Sequence, residues 1–116
     1  MRSHKELIVW QKSFELTKAI YIATKKFPRE EMYGMTSQMR RAAYSVPTNI
    51  AEGYRRSTKE YAYFLSVALG SASELETFLL LSRDLSYISE NEMNILYNLN
   101  EEIIRMLYKI ISGLRP

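Results

Sequence analysis

The sequence predicts an all-α fold, an up-down-up-down antiparallel four-helix bundle in a single domain spanning residues 1–116. Three observations predict it. Apolar residues recur at spacings of three and four through four long segments. Proline, glycine and serine punctuate the chain between those segments. No stretch alternates with period two for long enough to make a strand.

The first segment runs from about Lys5 to Lys26. Leu7, Trp10, Phe14, Thr17 and Tyr21 form one helical stripe, and Val9, Leu16, Ile20, Ala23 and Phe27 form another. Pro28 ends it, because proline disfavours helix at the residue before it. The second segment starts near Thr36, after Tyr33-Gly34, and runs to about Tyr54. Its inner face is Met39, Ala42, Ala43, Val46 and Ile50. Pro47 lies inside it, removes one helical hydrogen bond and predicts a kink. Gly53 reads as its end signal.

The third segment opens on Ser57-Thr58-Lys59-Glu60, a capping box, and continues to about Asp84. Tyr61, Leu65, Ala68, Ala72, Leu75 and Leu79 hold one stripe, and Phe64, Val67, Phe78 and Leu81 widen it past half the circumference. A helix this apolar is covered on more than one side. The fourth opens on a second capping box, Ser89-Glu90-Asn91-Glu92, with Ile88 and Met93 placed for a hydrophobic staple. Leu96, Leu99, Ile103, Met106 and Ile110 carry its stripe, Tyr97, Ile104 and Ile111 a second one, and Gly113 closes it. Short connections make consecutive helices antiparallel neighbours.

Composition narrows the function. The chain is 47% hydrophobic and 25% charged, as a folded domain is. It has no cysteine, hence no disulfide, thiol nucleophile or thiolate metal site. Neither a signal peptide nor a membrane span is legible, so a cytoplasmic protein without a membrane partner is expected. His4 is the only histidine. That argues against Glu-x-x-His di-metal sites and histidine-activated nucleophiles, and the four scattered glycines make no phosphate loop. No cofactor, metal or catalytic residue is expected.

Net charge is +3 and the pI about 9.2. The positive excess lies in the first half of the chain and the acidic residues concentrate in the second. Arg55, Arg56 and Lys59 cluster with Tyr54, Tyr61 and Tyr63, and Lys18, Lys25 and Arg29 extend the basic character along the first helix. Arginine grips phosphate and tyrosine stacks on bases, so these six cations are the candidate nucleic-acid contacts. A solvated corner with core-packing tyrosines is the alternative for the same residues. Arg41, Ser45 and Asn49 share one face of the second helix. The expected fold-back puts Arg41 near Ser71 and Glu74. The expected polar network is therefore an Arg41–Glu74 ion pair, with Asn49 bonding backbone freed by Pro47. Surplus apolar stripes on the first, third and fourth helices predict a homo-oligomer.

The run Gln38-Met39-Arg40-Arg41-Ala42-Ala43-Tyr44-Ser45-Val46-Pro47-Thr48-Asn49-Ile50-Ala51-Glu52-Gly53 resembles the signature of the bacterial 23S rRNA-intervening-sequence proteins. Ser57-Thr58-Lys59-Glu60-Tyr61, Gly70-Ser71-Ala72-Ser73-Glu74-Leu75-Glu76-Thr77 and Val9-Trp10-Gln11-Lys12-Ser13 extend the resemblance over nearly the whole chain. Asn49-Ile50-Ala51-Glu52-Gly53 is its most specific element. Members are four-helix bundles, some of them ring-like homopentamers, and many are encoded within insertions in 23S rRNA genes. A related protein is the basic, pentameric accessory variability determinant of diversity-generating retroelements, which binds nucleic acid and works with a reverse transcriptase. The resemblance thus implies a non-enzymatic pentameric accessory protein with RNA or DNA, and a reverse transcriptase or another protein, as partners. A structural bundle that docks a partner protein without nucleic acid is the alternative.

Overall fold

Four α-helices follow one another with short connections in the computed structural model, which describes residues 3–114. They are α1 (Ile8–Thr24), α2 (Met35–Tyr54), α3 (Thr58–Asp84) and α4 (Glu90–Gly113), with 3-10 turns at His4–Glu6 and Arg29–Glu31. No strand occurs among the described residues.

Cross-helix pairings fix the topology. Thr17 meets Ala43 and Thr24 meets Arg40. Ser45 meets Ser71 and Met39 meets Ser82. Asn100 meets Ala72, and Lys12 and Lys26 on α1 meet Glu102 and Glu92 on α4. Numbers rise on one helix as they fall on the other for α1–α2, α2–α3 and α1–α4, so these pairs are antiparallel and α3 and α4 are antiparallel in consequence. The bundle is 45 Å long and about half that across.

The helix ends follow local chemistry. Ser89 and Glu92 complete the capping box of α4 in both directions. At α3 the Ser57 hydroxyl accepts from the Glu60 N–H and donates to the Glu60 carboxylate. Gly34 offers α2 no side-chain cap, and the Glu31 carboxylate accepts from the Met35 N–H in its place. The same carboxylate accepts from the Tyr87 hydroxyl at 2.9 Å, tying the α1–α2 connection to the α3–α4 turn. α3 stops in a Schellman motif: the Tyr87 N–H bonds the Ser82 carbonyl and the Ser86 N–H the Arg83 carbonyl. Ser86 takes the left-handed conformation, φ 64°, that this motif imposes.

The core corrects the expected stripes. On α1 the buried set is Val9, Leu16, Ile20 and Ala23, followed by Phe27, whereas Phe14 and Tyr21 of the other stripe are exposed. On α4 it is Met93, Leu96, Asn100, Ile103, Leu107 and Ile111, while Leu99, Met106 and Ile110 are only half-buried. A wholly buried asparagine sits in that seam, donating to the Ala72 carbonyl at 2.9 Å, and its Oδ1 lacks a donor. Gly53 does not end α2 by a left-handed turn, since no glycine has positive φ. It lets α2 touch α3: a Cβ there would lie 2.6 Å from Cβ of Phe64.

α3 is also long and apolar enough to cross a membrane by composition alone, with mean hydropathy 1.4 over its best window. Leu65, Ala68, Ala72, Leu75 and Leu79 are wholly buried within the bundle, while 28% of that apolar window as a whole is buried.

Candidate nucleic-acid interface

The six candidate cations do not share one face. Lys25 and Arg29 lie at the α1–α2 connection, and Arg55, Arg56 and Lys59 at the α2–α3 turn. In an antiparallel bundle these are opposite ends, separated by most of the roughly 40 Å that a helix of α3's length spans. Lys18 stands between them on α1.

Their states differ too. Arg56 is ion-paired with Glu52 and Glu60 and lies over the Phe64 ring at 5.2 Å. The hydrogen bond to Glu52 is the main reason its pKa is raised. Lys18 pairs with Glu15 at 3.1 Å and sits 5.4 Å above the Phe14 ring. Lys25, Arg29, Arg55 and Lys59 are exposed and have no ion-pair partner among the described residues. Of the neighbouring tyrosines, Tyr54 and Tyr61 pack edge to face at 5.9 Å, and burial raises the Tyr61 phenol. Tyr63 is exposed.

The expected polar network is replaced by another. No ion pair joins Arg41 and Glu74, and both are exposed. With Ser45 opposite Ser71, Arg41 stands level with Leu75, and Glu74 is turned about 100° away toward solvent. Asn49 bonds the Ser45 carbonyl at 2.7 Å and the Ser45 hydroxyl at 3.0 Å, not the carbonyl that Pro47 frees. The Ser71 hydroxyl donates to Ser45 across the helices at 2.8 Å. The freed carbonyl is Ala43's, four residues before Pro47. It accepts from the Thr17 hydroxyl at 3.1 Å. α2 therefore continues unbroken through a buried Pro47.

Sequence reasoning missed a groove between α1 and α2. The Trp10 and Phe14 rings stack with centroids 4.9 Å apart and planes 23° apart, and His4 meets Trp10 edge-on at 5.2 Å. Tyr44 faces them from α2, with Pro47, Thr48 and Ala51 along the same wall. The space enclosed is about 280 Å³. Outside this recess, the Arg40 guanidinium lies 4.7 Å over the Tyr21 ring and its Nε donates to the Thr24 hydroxyl. The signal was present: two stripes on α1 compete for one core, so one must face outward.

A carboxyl pair lies on the other side of the molecule. Glu101 on α4 has its pKa raised, first by a hydrogen bond with Glu76 on α3, then by burial. Its Oε2 is buried and has no hydrogen-bond partner among the described residues, in keeping with a carboxyl that holds its proton more tightly than usual. Tyr97, beside them, is raised by burial and by both carboxylates. Among the described residues no group of three or more acidic, histidine or cysteine side chains is arranged to hold a metal ion.

The family model described as 23S rRNA-intervening sequence protein matches residues 5–109. The chain belongs to this family. It is also similar to a crystal structure from the S23 ribosomal protein family of Bacteroides thetaiotaomicron VPI-5482, described there as a protein with unknown function. The two are 28% identical, with a TM-score of 0.81 over 90% of this chain and 98% of the other. No curated protein matches. The run Gln38 to Gly53, on which the resemblance rested, lies within α2. Seven of its sixteen residues set packing: Met39, Ala42, Ala43, Val46, Pro47, Ile50 and Gly53 are buried. Arg41 and Tyr44 are its exposed exceptions of binding chemistry.

Proposed function

We propose that the protein is a non-enzymatic accessory protein of the cytoplasm that binds RNA or DNA as a homo-oligomer, a pentamer by family resemblance. The observation that carries this reading is that Lys25, Arg29, Arg41, Arg55 and Lys59 are exposed and have no ion-pair partner among the described residues, as is also true of Lys5, Arg105 and Lys109. Phosphate contacts release counterions, and cations already bound to carboxylates contribute less. Their spread over both ends suits a nucleic acid running along the bundle, or a ring in which copies repeat the charge.

A groove between α1 and α4 supports self-association. Ile22 and Ile95 stand 67% and 61% exposed on either side of it, above Ala19 and Leu96. Apolar exposure of that extent is characteristic of contact surfaces.

Fluorescence anisotropy with a structured RNA and a matched DNA, at stepped potassium chloride, tests the reading. Binding that weakens steeply with salt, and weakens further in Arg55→Ala, Lys59→Ala and Arg41→Ala, is expected. Absence of binding at low salt favours a bundle that docks only protein. A monomer mass by light scattering at micromolar concentration contradicts the oligomer.

A further inference from the structure

We propose that the α1/α2 groove is a stacking site for an unpaired nucleobase, so that the ligand is a single-stranded segment rather than a duplex. This rests on the nucleic-acid reading above and deepens it. Three observations converge. The first is aromatic geometry. Trp10 and Phe14 form a stacked pair on α1, and Tyr44 faces them from α2. Phe14 and Tyr44 are each 43% exposed, which leaves ring surface for a base to cover.

The second is size. About 280 Å³ is at the lower edge of small-molecule pockets, room for one planar heterocycle and its sugar. A duplex keeps its bases paired and cannot present one to such a recess.

The third is charge. Lys18 sits on the Phe14 ring, and Arg41 is unpaired one helical turn from Tyr44 on α2. The acid nearest Lys18 in sequence, Glu15, is already bound by it. Aromatic faces with the unpaired Arg41 a turn away suit a base followed by its phosphates, Lys18 contributing less because Glu15 already holds it. They suit a second copy of the same basic surface poorly.

Trp10 is the only tryptophan, so its emission reports on the groove directly. The test titrates the full chain with a short oligo-adenylate, with the same strand carrying abasic sites, and with its duplex, reading emission and anisotropy together. The intact single strand is expected to quench Trp10 and to bind more tightly than the other two probes. Phe14→Ala and Tyr44→Ala are expected to weaken it by about five- to 150-fold, the span of one lost base–aromatic stack. Tyr44→Leu keeps apolar bulk beside Pro47 and is expected to show the same loss with an unchanged melting temperature. Binding that leaves Trp10 emission and the ring variants unaffected overturns the stacking site and leaves the nucleic-acid reading standing. Emission that shifts with protein concentration alone shows that a second copy fills the groove and overturns it as well. Failure of all three probes at low salt overturns both.

Discussion

The Thr17 hydroxyl donates across the α1/α2 interface to the Ala43 carbonyl, the one carbonyl of α2 that Pro47 deprives of its helical donor. The same Oγ1 also lies 2.8 Å from the Ser13 carbonyl oxygen on its own helix, so one hydroxyl is shared between two helices. A proline that would otherwise leave an orphaned acceptor in a half-buried place is thereby accommodated without ending the helix.

Thr17→Val keeps the shape and removes the donor. It is expected to cost about 1–2 kcal/mol in urea unfolding, the penalty for an unsatisfied buried carbonyl. In a Pro47→Ala background the same substitution is expected to cost less than half as much, because the restored N–H then serves Ala43. Equal costs in the two backgrounds would show that the residues are not coupled.

Gly53→Ala tests the close approach of α2 and α3. The added methyl meets Phe64 Cβ at 2.6 Å and Tyr61 at 3.1 Å, and neither contact is the far end of a flexible chain. A loss of about 1–3 kcal/mol is expected from overpacking, despite alanine's better helix propensity. A melting temperature at or above that of the parent chain would contradict the contact.

Ser86→Gly tests the turn after α3. Serine at φ 64° carries strain of about 1–2 kcal/mol that glycine avoids. Glycine's extra unfolded-state freedom returns part of that. A net gain of about 0.5–1 kcal/mol is expected by thermal unfolding, with Ser86→Val losing stability at the same position.

Glu101 and Glu92 should respond to pH in opposite senses. Glu101 binds its proton more tightly in the fold than in the unfolded chain. The fold is helped below the ordinary carboxylate value of 4.5 and loses that help as pH rises through the raised value. Glu101→Gln is therefore expected to raise the melting temperature at neutral pH and to leave it unchanged in acid. Glu92 is lowered, first by Lys26 and then by the Ser89 backbone. Its contribution is present above 4.5 and fades as pH falls through the lowered value. Glu92→Gln should cost stability at neutral pH and converge with the parent chain in strong acid. Melting curves from acid to neutral pH decide both.

Helix positions and caps were legible because they depend on neighbours three and four residues away. Ser57, Ser89 and Glu92 could be assigned from spacing alone. Rotation of each helix was less legible. α1 carries two apolar stripes and nothing local chooses between them; only contact with α2 and α4 buries Val9, Leu16 and Ile20 and leaves Phe14 outside. On α4, Asn100 hid the true seam, because a polar residue breaks the pattern even where a bond to Ala72 lets it be buried. The expected Arg41–Glu74 pair failed for a related reason: the level along α3 was right and the rotation about its axis was not. The groove at Trp10 and Tyr44 depends on two helices far apart in sequence, and no single periodicity shows it.

The outward stripe of α1 has an energetic consequence. Part of its apolar complement is withheld from the core, and two surface ion pairs, Lys12–Glu102 and Lys26–Glu92, fasten its seam with α4. Such pairs add little and weaken with salt. The seam of α1 with α4 is therefore expected to loosen with added salt before the α2–α3 hairpin does, which native-state hydrogen exchange at stepped salt would show.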